Sequence, residues 1–308
     1  IGWRRAIHQH PEVGQALPHT AALVRSKLEE WGIEYREVIP NAFLAYIGKK
    51  GGRSILMRAD MDALPMEEQT GLPFSSQCPG AMHSCGHDTH TAMLLGAAKL
   101  LKQHESELNG LAILMFQPGE EVLAGAKAMV DAGALQDPKP DGAMALHIAS
   151  SPLKTGQIAM GYGPCAASSD CYKITLHGKG GHGSAPQDSI NPIFCACKII
   201  EAFTDIARFE IDPQQPSVVN TCSIHSGTIY NIIPEDCEIM GTVRMFNEEQ
   251  RARVLGRMQE AVEKIASLYR CTAQWSLDLS VPCTISDEAF SQQLHDLLVR
   301  DLDGVEVL

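Results

Sequence analysis

Four segments of the sequence carry side chains of the kinds that hold metal ions: Asp60-Met61-Asp62, Met82-His83-Ser84-Cys85-Gly86-His87-Asp88, Gln117-Pro118-Gly119-Glu120-Glu121, and His147. A thiolate, imidazoles and carboxylates together suit zinc, manganese or cobalt better than the all-oxygen sphere of calcium or magnesium. Singly, each segment has an ordinary explanation. A lone Cys and His pair such as Cys85-Gly86-His87 is more often structural. Glu120 and Glu121 at the start of a helix would be favourable charges at the positive end of its dipole. His147 after an apolar run would be a core histidine with a satisfied ring, and Asp60 or Asp62 would form a turn before Pro65. A local zinc site from Cys78 and Cys85, or from His83, His87 and His90, competes, but no second Cys-x-x-Cys supports it.

The elements that carry these segments decide between the readings. Ala42 to Ile47, Ser54 to Ala59, Leu111 to Phe116 and Gly142 to His147 are apolar runs short enough to be buried strands. Helices are expected from about Thr20 to Trp31, where Gly32 stops the periodic pattern, from Thr91 to Lys102, and from Glu121 to Ala132. This alternation predicts a parallel α/β sheet. In such sheets ligands bind beyond the carboxyl ends of the strands. Three of the four segments stand at strand ends and the fourth precedes a helix, so all four are expected to converge on one site.

Near Ser168 the pattern changes. A strand (Cys171 to His177), a Gly-rich loop, a helix (about Pro192 to Ala207), two strands (Val218 to His225, Asp236 to Phe246), a second helix and a closing strand (Thr272 to Leu279) give βαββαβ, the split ferredoxin-like order. The second helix carries the stripe Val254, Met258, Ala261, Val262, Ile265 and Leu268. The loop Gly178 to Pro186 carries His182, and no strand follows it to make a dinucleotide cradle. His225, Asn231 and Arg244 read by residue type as a solvated sheet face with a turn at Asn231. His8-x-His10-Pro11-Glu12 resembles a ligand pair by spacing, with capping or packing near the first helix as the equal alternative. After Pro282 a helix, Ala289 to Arg300, and a strand at Val305 read as a return to the first domain. The fold class expected is therefore α/β. A catalytic, metal-binding domain comprises 1–167 and 280–308, and a lid or dimerisation domain comprises 168–279.

Composition excludes other classes. Of 308 residues 44% are hydrophobic and 20% charged, as in folded globular chains. The balance of 25 Lys and Arg against 37 Asp and Glu gives −12, and no basic run stands out to neutralise phosphates, so neither nucleic acid nor a membrane surface is an expected partner. The apolar stretch Thr91 to Leu101 is interrupted by Lys99 and falls short of the roughly 18 residues a spanning helix needs. Ten Cys are too sparse for a disulfide scaffold, which favours reduced thiols in the cytoplasm. The chain begins at Ile1 and stops at Leu308 inside an apparent strand, and so reads as a piece of a longer one.

Arg58-Ala59-Asp60-Met61-Asp62-Ala63-Leu64-Pro65-Met66, Met82 to Asp88, Phe116 to Glu121, Gly180-Gly181-His182-Gly183, Asn231-Ile232-Ile233-Pro234 and Gly241-Thr242-Val243-Arg244 closely resemble the hippurate hydrolase, aminoacylase and auxin-conjugate amidohydrolase family of dinuclear metallopeptidase-like enzymes. The resemblance covers almost the whole chain, with Gly119 and Ser84 standing where the family commonly has Ala. It implies a metallopeptidase-like α/β catalytic domain with an inserted ferredoxin-like lid. Cys85, His87, Glu121 and His147 are implied as ligands of two divalent metal ions, with Cys85 bridging them. Glu120 is implied as general base, Asp62 as a carboxylate orienting the site, and His182 as the lid residue that reaches a second subunit's site and stabilises the oxyanion. Asn231 and Arg244 are implied to hold the substrate's backbone or carboxylate. The partners implied are a small N-acyl amino acid or dipeptide-like substrate and a second copy in a homodimer. A further family ligand, a His from a C-terminal portion, has no match in Ser280 to Leu308, so weaker metal binding is expected. A metallo-dipeptidase or an N-acyl-diaminopimelate deacylase shares this metal core. A non-catalytic metal- or ligand-binding relative would need neither Glu120 nor His182.

Overall fold

Two strands, β2 (Ala42–Gly48) and β4 (Leu111–Gln117), are buried almost end to end because their residues are apolar without alternation. They lie at the middle of a five-stranded sheet with β1 (Glu34–Ile39), β3 (Ser54–Asp60) and β5 (Gly142–Ala145), in the order β1-β2-β4-β3-β5. On one face Leu28, Phe43, Ile47, Met61, Leu95, Leu114 and Phe116 share a core with the helices Pro18–Glu30 and His87–Gln103. On the other, Leu44, Ile113 and Met115 pack with Met129. Each such side chain contributes about 1.5–3 kcal/mol on burial.

The sheet is mixed, not parallel as expected. β3 runs parallel to β4 and β5, whereas β1–β2 and β2–β4 are antiparallel. Only Pro40 and Asn41 separate β1 from β2, and Asn41 takes φ 65°, so the pair closes as a tight hairpin, which only antiparallel strands can do. β1 escapes sequence reasoning because Glu34, Arg36 and Glu37 make it polar and largely uncovered.

The computed structural model describes residues 1–149 and 152–308. Its chain divides into two compact units, Ile1–Lys154 and Thr155–Leu308. In the second unit the strands Ser169–His177, Ser217–Ser226, Asp236–Met245 and Thr272–Val281 form an antiparallel sheet, with Ser217–Ser226 and Thr272–Val281 at its edges. The helices Pro192–Phe209 and Glu248–Leu268 intervene in the order βαββαβ. Asn191 and Asn247 cap these helices through their side chains. Their buried residues, Cys195, Ile199 and Phe203 on one and Val254, Met258 and Val262 on the other, recur every four positions and cover one face of the sheet. Beside it, Gln157–Ile158 pairs with Glu306–Val307, and Gly163–Ala166 with Thr284–Ser286. Among the described residues, no helix is long and apolar enough to cross a membrane.

Candidate metal centre

Beyond the carboxyl ends of β3, β4 and β5, the first unit gathers Asp60, Asp62, Cys85, His87, His90, Glu120, Glu121 and His147. Three sets have ligand atoms within 4.8 Å of one another: Cys85, His87 and His147; Asp60, His87 and His90; and His87, Glu120 and Glu121. His87 belongs to all three. It is the first residue of its helix, four residues earlier than the sequence pattern suggests, and follows Gly86 at φ +90°. A Cβ on Gly86 would stand 2.3 Å from Ile148 Cδ1, so glycine here permits both the left-handed turn and the close packing beside His147.

Hydrogen bonds set which ring nitrogens are available. His87 Nδ1 lies 2.8 Å from the carbonyl oxygen of Asp62, and His147 Nδ1 lies 2.6 Å from that of Ile148. A carbonyl only accepts, so both rings donate from Nδ1, and in its neutral form each keeps its lone pair on Nε2. His147 Nε2 is 3.3 Å from Cys85 Sγ. His87 Nε2 is 3.7 Å from Glu121 Oε1 and 3.9 Å from Glu120 Oε2; it is buried without a hydrogen-bond partner, as is Glu121 Oε1. Two imidazoles fixed by main-chain carbonyls, with lone pairs turned toward a thiol and carboxylates, are the arrangement of metal-ligating histidines. The donor set and its orphaned atoms therefore fit a divalent metal ion.

His90 does not share this freedom. Its Nε2 accepts the Ile148 N–H at 2.9 Å and its Nδ1 donates to Asp60 Oδ1 at 2.6 Å. Asp60 is also paired with Arg58 at 2.9 Å. The competing zinc site through His83, His87 and His90, or through Cys78, is not assembled: neither His83 nor Cys78 joins a ligand set among the described residues.

Glu120 and Glu121 are not at a helix start, since the following helix spans Gly125–Asp131. They lie in a turn held by Asp62, whose two carboxylate oxygens accept the N–H groups of Glu120 and Glu121 at 2.9 and 3.0 Å. Gly125 closes this turn, because a Cβ there would fall 1.6 Å from the Pro118 carbonyl oxygen. Sequence reasoning missed the Arg58–Asp60–His90 chain; its one signal is that His90 stands three positions after His87, on the same helix face.

The electrostatics are those of crowded anions. Burial, reinforced by Glu121 and Glu120, pushes the Cys85 thiol up to about 12. Burial and the neighbouring Glu121 also raise Glu120. Burial would lower His87, but the hydrogen bond to Asp62 and the charge of Asp60 outweigh it and raise the ring. Burial would likewise raise Asp60, yet the His90 hydrogen bond and the Arg58 charge bring it to about 2.

His182, Asn231 and Arg244 belong to the second unit. The strand Gly181–His182 pairs with Ile232–Ile233, and Gly183 N–H donates to the Asn231 carbonyl at 2.9 Å, which sets His182 beside Asn231. His182 Nδ1 accepts the Ser184 N–H at 3.2 Å, so its neutral ring carries hydrogen on Nε2. Arg244 stands apart on Asp236–Met245, opposite Val218, with Nη1 3.5 Å from the Ser168 carbonyl oxygen. Of the sequence's other histidine signal, Glu12 caps the helix Pro18–Glu30, accepting the N–H groups of His19 and Thr20 at 2.9 Å each.

A family model described as peptidase family M20/M25/M40 matches residues 56–307. Thermostable carboxypeptidase 1 of Saccharolobus solfataricus is 41% identical over 301 residues, covering 96% of this chain and 76% of that protein. IAA-amino acid hydrolase ILR1-like 4 of Arabidopsis thaliana is 38% identical over 313 residues, covering 99% of this chain and 70% of that protein. The crystal structure of the YXEP protein of Bacillus subtilis, described as a dinuclear metal-binding peptidase from the M20 family, is 34% identical with a TM-score of 0.83, covering 100% of this chain and 80% of that one. With a family model spanning most of its length and relatives this similar along theirs, the chain belongs to peptidase family M20/M25/M40, a family of hydrolases.

Proposed function

We propose that this chain is a metal-dependent amidohydrolase that cleaves the amide bond of N-acyl amino acids or related small conjugates. The observation that carries the reading is the pair of Nδ1-donating imidazoles, His87 and His147, whose Nε2 atoms face Cys85 and the two glutamates. Cys85, His87, Glu121 and His147 would hold the metal, two divalent ions per site, the ions being zinc, manganese or cobalt. Such ions, when bound, supply a water nucleophile with a pKa near 7 and polarise the scissile carbonyl.

Glu120 is the general base. Its carboxylate takes one proton from the attacking water as the C–O bond forms, and delivers that proton to the amide nitrogen as the C–N bond breaks, leaving a free amine and a carboxylic acid. Asp62 keeps Glu120 in place through the main chain of the turn. The Nε2 hydrogen of His182, reaching the site of a second subunit, stabilises the tetrahedral oxyanion, a contribution of about 3 kcal/mol for one donor. Asn231 and Arg244 hold the substrate's backbone or carboxylate, a guanidinium fork being suited to it.

In this reading, residues 1–167 and 280–308 form the catalytic domain and 168–279 the inserted lid. The pairing of Gly163–Ala166 with Thr284–Ser286, where the chain enters and leaves the βαββαβ unit, supports such an insertion. The lid also carries dimerisation: Ser217–Ser226 is a sheet edge with Val218 and Ile224 exposed, the kind of edge a second copy covers. The ten free cysteines agree with a reducing, cytoplasmic setting.

A second reading, a metallo-dipeptidase, is favoured by the similarity to a carboxypeptidase. The two separate on a panel of N-acyl amino acids and dipeptides incubated with the metal-loaded chain. Release of free amino acid from N-acyl substrates, lost in Glu120→Gln, supports the first reading; release from dipeptides alone replaces it with the second.

A further inference from the structure

Beside the ligand cluster lies a buried charged group that none of the chemistry above uses. The helix Gly2–Gln9 presents Arg4 and His8 one turn apart on the same side. His8, 3% exposed, has Nδ1 2.9 Å from Asp88 Oδ2 and Nε2 3.3 Å from Glu68 Oε1. Asp88 is fully buried and also accepts from Arg4 Nε at 2.6 Å. Glu68, with a side chain 3% exposed, also accepts from Thr70 and from the Ser76 N–H at 2.6 Å. Phe74 closes the group, its ring 5.6 Å from that of His8 and 5.1 Å from the Arg4 guanidinium.

Ionised carboxylate oxygens only accept, so the His8 ring has an acceptor in front of each of its nitrogens. Arg4 adds its own charge beside Asp88, in a place where an unpaired carboxylate is costly. None of these residues joins a ligand set among the described residues. Their positions in the chain are what matter. Asp88 directly follows His87 in the first turn of its helix. Glu68 anchors the loop that leaves Leu64 and returns at Met82, where the two main chains exchange hydrogen bonds of 3.0 Å, and that loop runs directly into Cys85.

Resting on the metal-centre reading above, we propose that His8 is a positioning residue. Its ring ties the loop that leads to Cys85 to the helix that begins with His87, and so holds thiol and imidazole in mutual register for the metal. Partners that orient ligands in this way typically change metal affinity 10- to 100-fold when removed.

The test is a cobalt(II) titration of the metal-free full chain, followed by visible absorption, on wild type, His8→Gln and His10→Gln. An amide at position 8 reaches only one of the two carboxylates. The expected result is wild-type affinity in His10→Gln, and in His8→Gln about a 10- to 100-fold weaker affinity with an altered cobalt spectrum. Equal affinity and an unchanged spectrum in a folded His8→Gln overturn the proposal and leave the metal centre standing; absence of cobalt binding by wild type overturns the metal reading and the proposal with it. If His8→Gln does not fold, long-range proton–nitrogen NMR of the wild type decides. Hydrogen on both ring nitrogens of His8 near neutral pH supports the tie, and a neutral ring there overturns it.

Discussion

Asp62→Asn isolates the part of the site that is built from main chain. Asp62 is 1% exposed, and its two oxygens accept the consecutive N–H groups of Glu120 and Glu121 at 2.9 and 3.0 Å. An asparagine keeps the shape but turns one oxygen into an NH2. Whichever way the amide lies, one bond is kept and one is replaced by two donors facing each other. A hydrogen bond to a charged acceptor contributes about 1.5–3 kcal/mol, and the stranded donor puts the loss toward the upper end, about 3 kcal/mol. For a domain of this size each kcal/mol moves Tm by about 2–4 °C, so a fall of about 6–12 °C is expected in differential scanning calorimetry. The turn that carries Glu120 shifts with it, and a displacement on the order of 1 Å costs about 100-fold in kcat. A variant with wild-type Tm and turnover would refute the reasoning, because Glu120 would then be held by something other than Asp62.

Other perturbations separate the remaining steps. Metal uptake should release protons: Cys85, Glu120 and His87 all hold protons above their ordinary ranges in the metal-free protein, so apparent affinity rises with pH, and calorimetry in buffers of different ionisation enthalpy reads the release; affinity that is flat or falls with pH contradicts this. Glu120→Gln should lower turnover at least 100-fold while metal content, read by elemental analysis, stays as in wild type. In the second unit Arg251→Ala strands the fully buried Asp170, which otherwise receives Arg251 Nε at 2.7 Å and Nη2 at 2.8 Å; a loss of about 3–5 kcal/mol in urea unfolding is expected, and much less in Arg251→Met with Asp170→Leu.

How much of this was legible depended on how local the cause was. β2, β4 and the helix Glu248–Leu268 were readable because burial on both faces, or on one helical stripe, writes itself into a short window. The convergence of Asp62, Cys85, His87, Glu121 and His147 followed from placing polar residues at strand ends, a consequence of topology. The start of the helix at His87 was not readable, because its first turn is polar for the sake of the site and carries no apolar period. Nor was the helix beginning at Gly125, since Glu121 to Ala124 have helical composition but are held in a turn by Asp62, some 60 residues away. The tie from His8 to Asp88 spans 80 positions and to Glu68 spans 60, and no window on the sequence contains either pair.

The central claim is that hydrolysis depends on a divalent ion held by Cys85, His87, Glu121 and His147. Removing metal with a chelator, and then restoring zinc, manganese or cobalt, while following amino acid release from an N-acyl amino acid tests it most directly. Release is expected to stop with the metal, to return with at least one of the three ions, and not to return in Cys85→Ser. Release that persists through chelation, or returns equally in Cys85→Ser, would contradict it.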